Sequence, residues 1–269
     1  MAPLMLLIFT VTIANSFGKL HASLESTDFP TSDDIATRMV GGTDAPEGSF
    51  PYQVSLRRIE RLRHSCGGSI IAPTVILTAA HCVRQYDHPS EVLVVAGSHK
   101  LSSGGDVYGV KHLKVHEKYN FWTIENDIGL IILNRSIQYS EFVRPIELET
   151  RFIGVGVHVV LCGWGQTSYR GNFSDHLQYL NTKVVSNAEC QIAFTKTPLY
   201  TPIFDTEMCT LTREGEGFCK TDSGGPLVAE TNQKQVGIIS LSEPCALGVP
   251  DVYTRVSFYI EWIARNSEA

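Results

Sequence analysis

Three residues set far apart in the chain carry side chains that together could activate an alcohol. They are His81 in Thr78-Ala79-Ala80-His81-Cys82, Asp127 in Asn126-Asp127-Ile128-Gly129-Leu130, and Ser223 in Asp222-Ser223-Gly224-Gly225-Pro226. A serine hydroxyl is a poor nucleophile near neutral pH unless a base removes its proton. An imidazole can be that base, and a carboxylate can fix its tautomer and stabilise the imidazolium that forms. Each residue alone has an ordinary reading: a core histidine beside a cysteine, an aspartate at a strand end, a serine in a turn. The order His, Asp, Ser differs from the orders that place aspartate or serine first, so the trio selects one architecture and disfavours a general esterase. Glycines beside Ser223 permit a tight bend and close approach of a substrate.

The elements able to carry these residues are short. Apolar or alternating runs cover Gln53 to Leu56, Val75 to Ala80, Val92 to Ala96, Val157 to Leu161, Gln178 to Val185 and Gln235 to Ser240. Many of their residues are β-branched or aromatic, and Gly, Pro, Ser and Asp separate them, which predicts antiparallel all-β structure. Only the end reads as helical, where Val256, Tyr259, Ile260 and Ile263 fall on one face. No internal repeat or low-complexity tract is visible.

The 269-residue chain is 43% hydrophobic, enough to bury a sizeable core. Its formal charge of −6, with no basic stripe, argues against a nucleic-acid partner. An apolar run from Leu4 to Ala14 has the length of a signal-peptide core, well short of the ~20 residues of a membrane span, and small residues at Ser16, Gly18 and Ala22 offer cleavage points. Residues 1–18 thus read as a signal peptide of a secreted, extracellular protein without a membrane segment. Residues 19–38 are polar and read as a removable segment. Seven cysteines in an exported chain imply disulfides, with one left over, and their spacing does not suggest zinc. Asn134-Arg135-Ser136 and Asn172-Phe173-Ser174 are candidate glycosylation tripeptides.

From Arg38 to about Ala264 the chain resembles the chymotrypsin/trypsin-like serine proteases, most closely the insect chymotrypsin-like enzymes. Val40-Gly41-Gly42, Cys66-Gly67-Gly68-Ser69, Gly163-Trp164-Gly165 and the three segments above carry the likeness, in order. The resemblance implies two antiparallel six-stranded β-barrels, about 39–142 and 143–255, and a C-terminal helix at about 256–266. His81 and Asp127 would come from the first barrel and Ser223 from the second, with the site between them. It implies His81 as general base then acid, Asp127 as its orienter, Ser223 as the residue acylated, and the N–H groups of Thr221 and Ser223 as the oxyanion hole. Cleavage after Arg38 by a trypsin-like activating protease would free an ammonium on Met39 to pair with Asp222. The implied disulfides are Cys66 with Cys82, Cys190 with Cys209, and Cys219 with Cys245. Cys162 is left as a buried thiol, an intermolecular bridge being the alternative. The implied partners are polypeptide substrates and protein protease inhibitors, acting on a monomer. No cofactor or metal is called for, and the acids after Gly97 do not pair into a calcium site.

Several positions depart from the family pattern. Met39 replaces Ile or Val, and Thr221 replaces a glycine whose torsions a β-branched residue resists. Gly217 stands where trypsins carry Asp, and Phe218 replaces a small residue and would shorten the pocket. Asp251 stands across the pocket where many relatives have Gly. Ser240 matches the family serine near the catalytic Asp, while Leu241 and Ser242 replace the usual pair on the substrate strand. The expectation is cleavage after apolar or aromatic residues. The alternative is a catalytically weak homologue that serves as a secreted binding protein.

Overall fold

The computed structural model describes residues 40–166, 171–198, 200–243 and 246–268. The signal and removable segments, together with Arg38 and Met39, lie outside the described residues. A two-residue strand β1 (Thr43–Asp44) precedes two closed barrels. The first holds β2 (Gln53–Arg58), β3 (Arg63–Ala72), β4 (Val75–Thr78), β5 (Val92–Ala96), β6 (Asp106–Val115) and β7 (Gly129–Leu133), closed in the order β2-β3-β4-β7-β6-β5. The second holds β8 (His158–Gly163), β9 (Gln178–Val185), β10 (Glu207–Thr210), β11 (Pro226–Ala229), β12 (Gln235–Leu241) and β13 (Asp251–Arg255). It runs β9-β10-β13-β12-β11-β8 and closes through β8 and β9, with β1 added on β9. Every named pairing is antiparallel, as the short runs and the family likeness require.

Sequence pattern accounts for the strands. In β9, residues 178, 180, 182 and 184 are buried while 181 and 183 are exposed, the period-two signature of one solvated face. In β4 and β7 every residue is buried, so these strands read as unbroken apolar runs. Leu56, Ile70, Ile76, Leu77, Leu130 and Ile131 fill the first barrel, and Leu161, Leu180, Met208, Leu227, Ile239 and Tyr253 fill the second.

The described residues include more helix than the sequence predicts. A single turn, α1 (Ala80–Val83), follows β4 directly, and α2 (Asn187–Phe194) links β9 to β10. Helix α2 starts with a reciprocal capping box: Ser186 accepts from the Glu189 N–H while the Glu189 side chain takes the Ser186 N–H. Its few buried residues, Cys190 and Phe194, are too sparse to give an apolar period, so only the Ser-x-x-Glu signature announces it. At the end a 3₁₀ turn (Val256–Phe258) precedes α3 (Ile260–Asn266), whose Trp262 and Ile263 join the core of the first barrel. Among the described residues no helix is long and apolar enough to cross a membrane.

Two disulfides match the implied pairs, Cys66 with Cys82 and Cys190 with Cys209. Cys219 is disulfide-bonded as well, and its expected partner Cys245 lies outside the described residues. Cys162 is a buried thiol beside Gln53 Oε1.

Candidate active site

The ends of strands from both barrels converge on one carboxylate. Asp127 precedes β7 and is almost fully buried, at 1% exposure. Its Oδ1 accepts the backbone N–H of His81 at 2.8 Å, and its Oδ2 lies 2.7 Å from His81 Nδ1. Ser240 Oγ, from β12 of the second barrel, donates to the same Oδ2 at 2.6 Å, and Thr254 Oγ1 on β13 donates to the Asp127 carbonyl at 2.7 Å. A carboxylate only accepts, so Nδ1 carries the proton and neutral His81 presents a bare lone pair at Nε2. Burial opposes charging this imidazole, yet the charge and hydrogen bond of Asp127 prevail and hold its pKa above the ordinary histidine value. About a quarter of the His81 side chain stays exposed, so the lone pair is reachable.

Ser223 sits in the turn ahead of β11, half-buried. Its carbonyl accepts the Gly67 N–H of β3 at 2.8 Å, which ties the turn to the first barrel. Cys82 Sγ, one residue after His81, lies 3.5 Å from that carbonyl and 3.6 Å from His81 Nε2. The Cys66–Cys82 bridge therefore packs against both the imidazole and the serine turn. These sulfurs are bonded to each other, so their closeness to His81 offers no thiolate to a metal. Gly224 has φ +81, and a Cβ there would lie 2.2 Å from Thr78 Oγ1, so only glycine fits.

The residue before the serine is pinned from within the protein. Asp222 is buried, and its carboxylate accepts the N–H of Gly165 at 2.8 Å and of Cys219 at 3.1 Å. Burial raises its pKa to about 7, with the two N–H bonds opposing. A Cβ on Gly165 would fall 2.2 Å from that carboxylate, which explains the glycine of Gly163-Trp164-Gly165.

Thr221 takes φ +75, the left-handed region its sequence resists. Its carbonyl is held by His64 Nε2 at 3.0 Å, and its Oγ1 is buried without a partner among the described residues. The N–H groups of Thr221 and Ser223 have no internal acceptor among the described residues, so both are free to donate to a ligand oxygen. His64 was not evident from sequence. Because a carbonyl only accepts, its Nε2 carries the proton, and Nδ1 accepts from Ser55 Oγ at 2.9 Å. Arg57 Nε donates to that same hydroxyl at 3.1 Å. Burial, with Arg57 adding to it against the pull of the Thr221 carbonyl, lowers the His64 pKa to about 4, so it is neutral.

Of the residues predicted to form a pocket, Gly217, Phe218 and Asp251 are in mutual contact. Gly217 N donates to the Val40 carbonyl at 3.1 Å, and a Cβ on Gly217 would meet Asp251 Oδ2 at 2.9 Å. Asp251 is 7% exposed and accepts the Phe218 N–H at 3.0 Å. The Phe218 ring, 2% exposed, packs in the second barrel with its centroid 5.5 Å from that of Tyr253. Ser240 and Leu241 lie on β12, where Leu241 pairs with Val252 next to Asp251, and Ser242 follows.

Residues 39–263 match the Trypsin family model. The chain belongs to the trypsin family of serine proteases. It is 43% identical to chymotrypsin-2 of Vespa crabro over 85% of this chain and 99% of that protein. It is also 36% identical to trypsin-1 of Astacus astacus, over 85% of this chain and the whole of that protein, and 37% identical to serine protease SP24D of Anopheles gambiae, over 84% and 80%. Within this trypsin-family framework the buried Asp127 with its three donors is a charge trap: an imidazolium formed at His81 meets a carboxylate that water does not screen. The missed partners, His64 and Thr254, carry no distinctive signal in the sequence, one a histidine two residues before Cys66 and the other a threonine in the buried, half-polar strand β13.

Proposed function

We propose that this trypsin-family chain is a secreted serine endopeptidase, made as a zymogen and activated by cleavage after Arg38, that prefers apolar or aromatic residues at P1. The buried Asp127 carboxylate that fixes His81 in the tautomer with Nε2 unprotonated carries the reading.

In this mechanism Ser223 Oγ attacks the peptide carbonyl carbon while its proton passes to His81 Nε2. The carbonyl oxygen, now an oxyanion, takes the N–H groups of Thr221 and Ser223, whose loss singly costs about 10²- to 10³-fold in rate. His81 then protonates the leaving amine, the C–N bond breaks and an acyl-Ser223 ester remains. Water enters and gives a proton to His81 as its oxygen adds to the ester carbon, and His81 returns that proton to Ser223 Oγ as the C–O bond to Ser223 breaks, freeing the acid and restoring both side chains. Cleavage after Arg38 supplies an ammonium for Asp222, whose carboxylate is otherwise costly to keep ionised in its buried seat. Gly217 in place of an acid supports the preference for uncharged P1 residues. An excreted route fits the Leu4–Ala14 run and the disulfides.

The test is a serine-directed covalent phosphonate on the Arg38-cleaved protein. Labelling at Ser223 that disappears in His81→Ala is the expected result. Correctly processed protein that stays unlabelled overturns the reading in favour of a binding role. A peptide panel at neutral pH checks P1, and dominant Lys or Arg cleavage there overturns the preference.

A further inference from the structure

The hairpin joining β2 to β3 is basic although the chain as a whole is acidic. Arg57 and Arg58 end β2, Arg61 lies in the turn 59–62, and Arg63 opens β3, with Glu60 as the one acid among them. Four arginines thus fall within seven residues of a chain whose formal charge is −6. Among the described residues none of the four forms an ion pair. Arg58 and Arg63 face each other across the ladder, a like-charge pairing that costs stability. Each guanidinium lies over a different ring, 5.1 Å from the Tyr86 centroid for Arg58 and 5.1 Å from the Phe173 centroid for Arg63. The Arg58 side chain donates to the Gln85 carbonyl at 2.9 Å, whereas the side chains of Arg61 and Arg63 make no hydrogen bond among the described residues. Arg58, Arg61 and Arg63 are exposed, and so are the two apolar side chains between them, Ile59 at 47% and Leu62 at 57%.

We propose that this hairpin is a docking surface for an acidic polypeptide segment whose carboxylates are interleaved with apolar side chains. A guanidinium stacked on a ring keeps its N–H edge free, and that edge takes a carboxylate through two parallel hydrogen bonds. An anion shared by Arg58 and Arg63 also offsets the repulsion that the ladder imposes on them. The apolar residues select the class of partner. Ile59 and Leu62 offer no hydrogen bond to a phosphate or a sugar, whereas apolar peptide side chains cover them and release water. The acidic balance of the rest of the chain likewise opposes a long polyanion that runs on past the hairpin. Arg63 lies four residues before Gly67, whose N–H holds the Ser223 carbonyl, so the patch begins roughly 13 Å along the strand from the serine turn. Docking there needs no turnover, so it stands or falls apart from the proteolytic reading.

The experiment uses the Arg38-cleaved protein carrying Ser223→Ala and follows the fluorescence anisotropy of a labelled peptide of repeating Glu-Glu-Leu. Affinity should fall at least about 5-fold when Arg58→Gln and Arg63→Gln are combined. Arg61→Glu, a change in the exposed turn, should do the same and stands in if the first variant fails to fold. Arg265→Gln, on α3, should leave the affinity unchanged. A repeating Glu-Glu-Ser peptide should bind more weakly, because Ile59 and Leu62 then stay uncovered. No binding of the Glu-Glu-Leu peptide overturns the proposal, as does an affinity that is the same in the folded hairpin variants, which would place the peptide elsewhere. Equal affinity for the Glu-Glu-Ser peptide, or tighter binding of heparin than of the Glu-Glu-Leu peptide, overturns the polypeptide partner in favour of a general polyanion.

Discussion

Thr221→Gly should stabilise the protein even though it deletes a side chain two residues from Ser223. A β-branched residue in the left-handed region costs about 1–2 kcal/mol, and Thr221 sits at φ +75. Its Oγ1 is buried without a partner among the described residues, a desolvation cost of about 1–3 kcal/mol. Against these stand the larger unfolded-state freedom of glycine, about 0.4–1 kcal/mol, and the lost methyl contact, about 0.8 kcal/mol. The balance favours the variant by about 2 kcal/mol, which for a domain of this size is roughly 4–8 °C in Tm. Differential scanning calorimetry in a Ser223→Ala background avoids self-digestion and reads this directly. Both N–H donors survive the change, so in the Ser223 background phosphonate labelling should persist. A Tm equal to or below that of the parent would refute the reasoning, because it would mean that the torsion stores no strain or that the side chain makes a compensating contact.

Asp127→Asn should lower kcat by about 10⁴-fold, the size of the effect in a related serine protease. The amide cannot accept from the His81 N–H, His81 Nδ1–H and Ser240 Oγ at once, so the imidazole adopts the tautomer protonated at Nε2. In the proposed mechanism rate requires neutral His81, whose pKa Asp127 raises, so the acidic limb of kcat/KM should lie above the ordinary histidine value and move to lower pH in the variant. A limb that does not move would dissociate the pair. For Asp222, the folded pKa of about 7 exceeds the unfolded carboxyl value, so in the uncut chain its contribution is intact at low pH and is lost as pH rises from about 4 through 7. Roughly 4 kcal/mol is at stake over that window. Cleavage after Arg38 should restore most of it, so Tm of the cut and uncut Ser223→Ala proteins should diverge near pH 8 and converge toward pH 4. Equal Tm values near pH 8 would show that the new ammonium does not reach Asp222.

Much of this was legible in the residues. Runs such as Val92–Ala96 and Gln178–Val185 coincide with β5 and β9 because period and composition agree there. Asp106–Val115 escaped notice because its ladder is held by pairing with β5 and β7 while most of its side chains are only half-buried or exposed. Strand β10 escaped for the converse reason, since Glu207-Met208-Cys209-Thr210 is wholly buried yet half polar. At the site, the types of His81, Asp127 and Ser223 proclaim chemistry, whereas His64 and Thr254 act through long-range hydrogen bonds that no local pattern encodes.

The most informative misfit is Thr221, and the structure explains how its torsion survives. Backbone strain persists only where the surroundings over-determine it. On one side the chain Arg57, Ser55, His64 delivers a hydrogen bond to the Thr221 carbonyl, and it works because His64 is neutral, with one nitrogen donating and the other accepting. On the other side Asp222 is clamped by Gly165 and Cys219, and Cys219 is itself disulfide-bonded. Rotating the peptide to relieve Thr221 would strip the His64 donor of its acceptor inside the protein, a loss of about 1–3 kcal/mol that matches or exceeds the strain removed. The free N–H of Thr221 is therefore held by contacts made behind it, so a glycine at that position makes the torsion cheaper without being what creates it.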